Sequence, residues 1–238
     1  MVRPLFFNES MGRTMRKFHP VTLLLAALFI ALVSAGCAQT TTKEEEFSGF
    51  LGDYSGFEEI EAGDGSKMVG WISPTIGQRE YHSIIVDPVV LYSSTKADDN
   101  VDQQTINEVL SYLTDRLREE IGKRANVVYK PGSGVARMRM AITTIRAGAQ
   151  PLRWYNYTPI TMTVAGIGEA TGVRDEQVQV IAESELLDSE TSERLAAGSR
   201  YGAGENIDPG EKITMEDLDE VFDTGVVSTG MWVDKYIK

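Results

Sequence analysis

The chain has 238 residues, of which 42% are hydrophobic and 24% are charged, and its formal net charge is −12. This length fits one ordinary domain with accessory segments, and the composition excludes a wholly disordered, collagen-like or polytopic membrane protein. The acidic balance argues against nucleic acid as a partner, because phosphate binding needs a cationic surface. Cys37 is the single cysteine, which excludes an internal disulfide framework and a thiolate metal cluster.

The first 36 residues differ from the rest in charge, since they carry four basic residues against one acid. The apolar run at 21–35 reads VTLLLAALFIALVSA, follows Arg16 and Lys17, and ends in small residues. This order is typical of a cleavable export signal, and the run is shorter than the roughly 20 residues that a membrane-spanning helix needs. We therefore expect residues 1–36 to be a signal peptide of the lipoprotein type. An uncleaved membrane anchor is the less favoured alternative.

Ser34-Ala35-Gly36-Cys37 follows the apolar run and resembles the lipobox of bacterial lipoproteins, in which the cysteine is lipidated and becomes the first residue. The lipobox usually has Leu where this chain has Ser34. The alternative is ordinary signal cleavage after Ala35, which leaves Cys37 as a free thiol. A lone cysteine at the edge of an exported chain favours lipidation. We therefore expect acyl chains such as palmitate on Cys37, enough for stable membrane anchoring.

Ala38 follows the cysteine where Asp would be typical of retention at the inner membrane. The resemblance to lipoproteins thus implies an outer-membrane location facing the periplasm. Met15 is an alternative start to Met1, because it gives a signal of conventional size. Residues 37–46 are polar and charged and predict a lipidated, flexible tether. Residues 47–238 are expected to form a single α/β domain.

Residues 47–57 read FSGFLGDYSGF, with three glycines between aromatic and aliphatic residues. This spacing is incompatible with a regular helix but suits a loop that packs on a core. The segment has two interpretations: a docking strip for a partner, or a lid over the core. The lid is the favoured one.

Periodicity predicts the remaining elements. Alternating and β-branched runs predict strands at 67–72, 81–92, 126–130, 135–145, 177–187 and 195–201. Apolar residues at helical spacing predict a helix over 101–122, and a capping-box pattern predicts a second helix from Thr214. The fold class is therefore α/β: a single two-layer domain with a mixed sheet, a βαβ unit, antiparallel strands and a C-terminal helix.

Three blocks of sequence resemble one family of bacterial lipoproteins. They are SGFLGDYS at 48–55, IIVDPV at 84–89 and ESELLDSETSERLAA at 183–197. In this order they resemble the domain of unknown function 3313 family, over nearly the whole chain after Cys37. The resemblance implies an envelope location and an α/β fold, without an established reaction. The family usually has Thr-Gly-Glu late in the third block, whereas this chain has Ser192, so we expect a different tight turn.

Metal and nucleophile chemistry find little support in the sequence. His82 is the only histidine after the predicted signal, which excludes metal sites built from several histidines and a Cys–His catalytic pair. The sequence also has no Gly-x-Ser-x-Gly motif, which argues against a Ser–His–Asp triad that uses His82. Asp98, Asn100 and Asp102 match the first ligand positions of an EF-hand, but the required Gly and Glu are missing, so helix capping is favoured. We predict no metal and no cofactor.

The best binding candidate is the proline-bounded segment 151–159. Its Arg153, Trp154, Tyr155 and Tyr157 are residue types favoured in binding interfaces. The alternative, which is favoured, is a loop that folds these aromatic rings over the edge of the sheet.

Glu183 and Glu185 are the candidate catalytic acids. They share one face of a strand, about 7 Å apart, within the range of glycosidase carboxylates. Gln177 and Gln179 lie on the same face, so we expect a solvated outer surface instead.

Two hypotheses follow. The leading one is a lipid-anchored, non-enzymatic envelope module that contacts the membrane through its lipid and binds an envelope protein or a cell-wall partner. The alternative is a periplasmic hydrolase that uses the paired carboxylates. A third interpretation is assembly with another chain through an open strand edge within 135–201.

Overall fold

Three long segments with alternating side chains form the centre of a mixed β-sheet. The structure is a computed structural model and describes residues 47–92, 99–148 and 176–238. Its strands are β1 (Glu58–Glu61), β2 (Lys67–Ile72), β3 (Ser83–Val86), β4 (Val90–Leu91), β5 (Asn126–Val127), β6 (Val135–Gly148), β7 (Glu176–Asp188) and β8 (Arg194–Ile207). Its helices are α1 (Gln103–Gly122) and α2 (Asp219–Tyr236), and a turn of 3-10 helix spans Ile76–Gln78.

The strands are arranged in the order β1-β2-β8-β7-β6-β3-β5, and β4 also pairs with β6. The pairs β6–β7 and β7–β8 are antiparallel, whereas β3 pairs in parallel with both β5 and β6. β3, α1 and β5 thus form the predicted βαβ unit. The two end strands are β1 and β5. On the sides that face away from β7, β8 pairs with β2 only over 196–199, and β6 pairs with β3 and β4 only over 135–138 and 141–142. The expectation of an open edge within 135–201 therefore stays a prediction. The predicted α/β fold is confirmed.

Both helices pack on one face of the sheet and enclose the core. Helix α1 begins after Asp102, whose carboxylate accepts a hydrogen bond from the Thr105 amide at 2.8 Å, which confirms capping as its role. Each large apolar side chain in this layer contributes on the order of 1.5–3 kcal/mol when fully buried. The helical members of the core are Ile106, Val109, Leu113, Leu117, Ile121, Phe222, Val226 and Val233.

Helices α1 and α2 contact each other closely at Gly230. A β-carbon on Gly230 would lie 2.9 Å from Cγ of Glu120, so the absence of a side chain there permits the approach. Asp223 makes a second link, because its carboxylate accepts hydrogen bonds from the Tyr112 hydroxyl at 2.6 Å and from Arg116 Nε at 3.2 Å. Helix α2 is therefore held against α1 at two levels.

Several predicted elements have different bounds in the structure, and β1 was not predicted. β5 is shorter than the strand predicted at 126–130, whereas β6 and β8 extend beyond 135–145 and 195–201. The strand predicted at 81–92 is divided into β3 and β4, and the break includes Pro88, which has no amide hydrogen for the ladder. Helix α2 begins at Asp219 instead of Thr214. The Asp217 carboxylate accepts hydrogen bonds from the amide and hydroxyl of Thr214, both at 2.7 Å, and these form a turn before the helix.

The turn between β7 and β8 is built around Asp188. Its carboxylate accepts hydrogen bonds from the amides of Glu190 and Thr191 at 3.0 and 2.9 Å. Ser192 closes the turn with a φ of 61°, in the left-handed region that favours glycine. This is the position at which the family usually has Gly.

We predict that Ser192→Gly stabilises the protein by about 1 kcal/mol, because it relieves a left-handed conformation that costs a non-glycine residue on the order of 1–2 kcal/mol. Urea unfolding measures the change. The control is Glu190→Gly in the same turn, which relieves no such strain and should not stabilise the fold. An unchanged or lower free energy of unfolding for Ser192→Gly would contradict the prediction.

Candidate functional site

Glu183 and Glu185 are buried, with 1% and 5% of their surface exposed. The prediction of a solvated outer surface is therefore wrong. Residues 47–57, which we call the N-terminal segment, contact both the carboxylate of Glu183 and the neighbouring strand β8. Buried carboxylates are costly unless they are hydrogen-bonded or paired, so the partners of these two acids determine what they can do.

Glu183 is held by hydroxyl and amide groups of the N-terminal segment. Its Oε1 accepts a hydrogen bond from the Ser48 amide at 3.1 Å, and its Oε2 accepts hydrogen bonds from the hydroxyls of Ser48 at 2.8 Å and Tyr54 at 2.6 Å. The Tyr54 oxygen also accepts hydrogen bonds from the amides of Gly49 and Leu51. Burial and the hydrogen bond to Glu183 raise the pKa of Tyr54 above its ordinary value.

Glu185 is paired with two arginines. Arg139 Nη1 lies 2.5 Å from its Oε1, and Arg194 Nε lies 3.0 Å from its Oε2. The Arg194 guanidinium also donates hydrogen bonds to the carbonyl oxygens of Leu51 and Asp53. Arg194 thus connects the buried acid to the N-terminal segment.

Glycines and aromatic rings shape the N-terminal segment. Gly49, Gly52 and Gly56 have φ of 90°, 73° and 76°, which favour glycine over any residue with a β-carbon. The ring of Phe47 stacks on Tyr54 with centroids 4.2 Å apart. The segment covers part of the sheet as a lid, which agrees with the favoured interpretation.

The carboxylate pair is occupied by structural contacts. Glu183 accepts three hydrogen bonds, and Glu185 forms two ion pairs that use both its oxygens. A general acid or base must reach the proton that it transfers in a bound substrate. Both carboxylates instead lie under the N-terminal segment and the arginines, so this arrangement does not favour acid–base hydrolysis.

A cavity of about 480 Å³ lies on the other side of the sheet, between α2 and strands β6 to β8. Pockets that bind small molecules typically enclose about 300–1,000 Å³ and are mainly apolar. Large apolar residues from the sheet and from both helices form its walls. They include Leu113, Leu117, Met138, Met140, Ile142, Val180, Leu186, Phe222, Val226 and Trp232.

The cavity exists because small residues face each other across the gap. On the sheet side, Ala182, Ser184 and Gly198 line it, and Ala182 and Ser184 remain partly exposed in the centre of the sheet. On the helix side, a β-carbon added to Gly225 would have no heavy atom within 4 Å. Protein interiors rarely contain voids larger than a water molecule, so a space of this size is a candidate binding site.

Acidic side chains lie at the opening of the cavity. Glu205 and Glu220 line it and are exposed, and Asp217 lines it and is half-buried. Arg200 also lines it, and its guanidinium donates a hydrogen bond to Asp64 at 2.8 Å. The cavity therefore combines an apolar interior with an acidic rim.

The structure does not test the predicted lipidation site or the predicted aromatic binding segment. Cys37, Arg153, Trp154, Tyr155 and Tyr157 lie outside the described residues, so their predicted roles stay predictions.

His82 is exposed, and its Nδ1 lies 3.0 Å from the Ser83 hydroxyl. Within 47–92, 99–148 and 176–238, no group of three or more His, Cys, Asp or Glu side chains could hold a metal ion. No helix in those ranges is long and apolar enough to cross a membrane.

Sequence reasoning did not find the cavity. The available signal was the run AAGSRYGAG at 196–204, where small residues dominate a strand next to the centre of the sheet. A second signal was Gly225 within an apolar helical face. Strand glycines often indicate a close approach of backbone or ligand, whereas helix glycines weaken a helix by about 1 kcal/mol relative to alanine.

The fold and the cavity define a two-layer α/β protein with a buried, hydrogen-bonded carboxylate pair and a mainly apolar cavity beneath α2. The family model described as protein of unknown function (DUF3313) matches residues 46–227, and the chain belongs to this family. The uncharacterized lipoprotein YdcL of Escherichia coli K12 is 30% identical over 200 residues, which cover 84% of this chain and 90% of the relative. A lipoprotein relative implies a cell-envelope location and membrane association through a lipid anchor.

Solved structures show weaker likeness. The PelC dodecamer from Paraburkholderia phytofirmans has a TM-score of 0.36 and 7% identity, over 76% of this chain and 98% of that chain. Lipoprotein GNA1162 from Neisseria meningitidis has a TM-score of 0.30 and 17% identity, over 52% of this chain and 83% of that chain. Likeness at these scores supports no conclusion about function.

We predict that the stabilising effect of the Tyr54 hydroxyl is lost at high pH. Tyr54→Phe should cost about 1–3 kcal/mol near pH 7, because it removes a donor to a buried carboxylate. The pKa of Tyr54 is raised in the fold, so its contribution is complete below the unfolded value of about 10 and is lost as pH rises through the folded value. Urea unfolding from neutral pH upwards should show the difference between natural chain and variant shrinking above about pH 10.

The control for this series is Ser48→Ala, which removes one hydrogen bond to Glu183 but changes no titrating group. The loss of unfolding free energy caused by Ser48→Ala should remain nearly constant over the same pH range. A Tyr54→Phe difference that stays constant above pH 10 would contradict the assigned coupling between Tyr54 and Glu183.

Proposed function

We propose that this protein is a lipid-anchored module of the bacterial cell envelope that binds an apolar ligand in the cavity beneath α2. The observation that carries this proposal is the mainly apolar space of about 480 Å³ enclosed by α1, α2 and the sheet. An empty cavity costs stability, because the atoms of its walls lose contacts. A bound apolar ligand would restore those contacts.

Cys37 is the proposed site of the lipid, with palmitate among its acyl chains. The small residues before Cys37 and the lipoprotein relative support this assignment. Residues 1–36 would be removed as the signal peptide, and residues 37–46 would tether the domain of residues 47–238 to the membrane. Ala38 favours the outer membrane, with the domain facing the periplasm.

A larger partner is proposed to contact other residues. Arg153, Trp154, Tyr155 and Tyr157 remain the proposed contacts for an envelope protein or a cell-wall component, because aromatic residues and Arg are enriched at interfaces. The hydrolase alternative has no observation in its favour, since the carboxylates of Glu183 and Glu185 are occupied by structural contacts.

We predict that Cys37→Ala releases the protein from membranes when residues 1–36 are also exchanged for a signal peptide that is cleaved without lipidation, because this variant lacks both the apolar run and the thiol that carries the lipid. Fractionation of cells into membrane and soluble material, with circular dichroism of the purified chain, measures release and folding. The mass of the first peptide of the natural mature protein shows whether Cys37 is acylated. Tight membrane association of the variant would contradict the anchor.

Ala38→Asp tests the choice of membrane and is the matched control, because it keeps Cys37. It should leave the protein in the membrane fraction but move it from the outer to the inner membrane. An unchanged distribution would contradict the proposed outer-membrane location while leaving the anchor intact.

We predict that Gly225→Leu removes binding of an apolar probe without unfolding the protein. The side chain would occupy open space in the cavity, and replacing a helix glycine favours the helix by about 1 kcal/mol or slightly less. The uncharged fluorescent probe N-phenyl-1-naphthylamine measures binding, and thermal unfolding measures stability. Gly225→Ala is the matched control, since it changes helix propensity similarly but leaves most of the volume. Equal binding by both variants would overturn the assignment of the cavity.

A further inference from the structure

We propose that the cavity accepts the alkyl chain of a single-chain amphiphile whose head group is cationic. This inference rests on the proposed binding function of the same cavity and adds the chemical class of its ligand. Two observations carry it: the size and mainly apolar lining of the cavity, and the charges at its opening.

The volume of the cavity is comparable to that of one alkyl chain. At about 30 Å³ per water molecule in the liquid, 480 Å³ holds roughly sixteen groups of that size, comparable to a chain of twelve to sixteen carbons. Met68, Met138 and Met140 contribute flexible thioether side chains to the wall. Methionine adapts its shape to different apolar partners, which suits a chain with many conformations.

Two hydroxyl groups that line the cavity are engaged by the protein itself. The Thr229 hydroxyl donates a hydrogen bond to the Gly225 carbonyl at 2.8 Å, and the Ser228 hydroxyl accepts one from the Asp64 amide at 3.4 Å. These contacts reduce the need for a polar ligand group inside. The interior therefore favours an alkyl chain, and the polar part of the ligand would lie at the opening.

The opening carries negative charge. Glu205 and Glu220 are exposed lining residues, and Asp217 is a half-buried third acid in the lining. An acidic rim beside a low-dielectric wall attracts cations and repels anions. A fatty acid or an alkyl phosphate would place its head group against these carboxylates.

Arg200 is the only cationic residue among the described residues that line the cavity, and Asp64 neutralises it. Arg200 Nη2 donates to Asp64 Oδ2 at 2.8 Å. Partial burial raises the pKa of Asp64, but hydrogen bonds from Ser66 and Arg200 outweigh burial and hold this pKa well below its ordinary value. Asp64 thus stays ionised beside Arg200, and the net charge around the opening is negative.

Isothermal titration of the purified Cys37→Ala chain tests the inference with three probes of equal chain length: dodecyltrimethylammonium, dodecyl maltoside and dodecanoate. All are used below their micelle-forming concentrations and at low salt. We expect dodecyltrimethylammonium to bind about tenfold more tightly than dodecanoate, with dodecyl maltoside between them. Added salt should reduce this ratio, because the charges are exposed. Within the cationic series, affinity should rise about fourfold per methylene until the chain fills the cavity.

Charge variants test whether the preference for a cationic head group depends on the acidic residues at the opening. Glu205→Gln with Glu220→Gln should bring the affinities for the cationic and anionic probes within about threefold of each other. The control is Glu190→Gln with Glu216→Gln, which makes the same change in net charge at exposed residues outside the cavity lining. An unchanged preference in the first pair, or an equal loss in the control, would overturn the role of the acidic rim.

The outcomes separate the two proposals. If none of the three probes binds, the proposed binding function fails. If the probes bind and Gly225→Leu abolishes binding, but dodecanoate binds as tightly as dodecyltrimethylammonium, only the cationic preference fails. Binding that survives Gly225→Leu overturns both, because the ligand then lies elsewhere. Ala182→Leu fills the cavity from the opposite wall and replaces Gly225→Leu if that variant does not fold.

Discussion

Burial of the Glu183 carboxylate is the constraint on which one face of the molecule depends. A carboxylate inside a central strand loses its water and needs donors in return, and Ser48 and Tyr54 supply three hydrogen bonds. These contacts bring the N-terminal segment onto the sheet and place the carbonyls of Leu51 and Asp53 against Arg194. The same arginine pairs with Glu185, so two acids suited to catalysis by type and spacing serve to hold the segment.

The opposite face is organised differently, because α2 is supported mainly by α1. Gly230 permits close contact with Glu120, and Asp223 accepts hydrogen bonds from Tyr112 and Arg116. Because α1 holds α2 in place, α2 does not have to pack closely against the sheet along its whole length. Small residues on β7 and β8 then leave space that larger side chains would occupy, and the protein retains a cavity where most folds have close-packed core.

Local pattern predicted most elements of the fold, although not β1, and it did not reveal the two sites. Helical spacing of apolar residues identified α1, and alternation identified β6 to β8. The same alternation predicted that Glu183 faces solvent. This prediction was wrong because a local pattern carries no information about Ser48, which covers Glu183 from 135 residues away in the chain. SGFLGDYS and ESELLDSETSERLAA were read as separate blocks, whereas the structure shows that they bind each other. The cavity was not predicted because it exists where side chains are too small to fill the space between α2 and the sheet. Gly225 and the small residues of β8 indicate such a space only indirectly.

The contact between Ser48 and Glu183 has a consequence for how the chain is made. Synthesis runs from the amino end, so the N-terminal segment emerges long before β7, and its partner carboxylate does not yet exist. Contacts of such long sequence separation close late, because the entropy of joining distant parts of the chain must be overcome first. The N-terminal segment therefore has no partner carboxylate in any chain that ends before Glu183. Packing of the N-terminal segment on the sheet is then one of the last steps of folding.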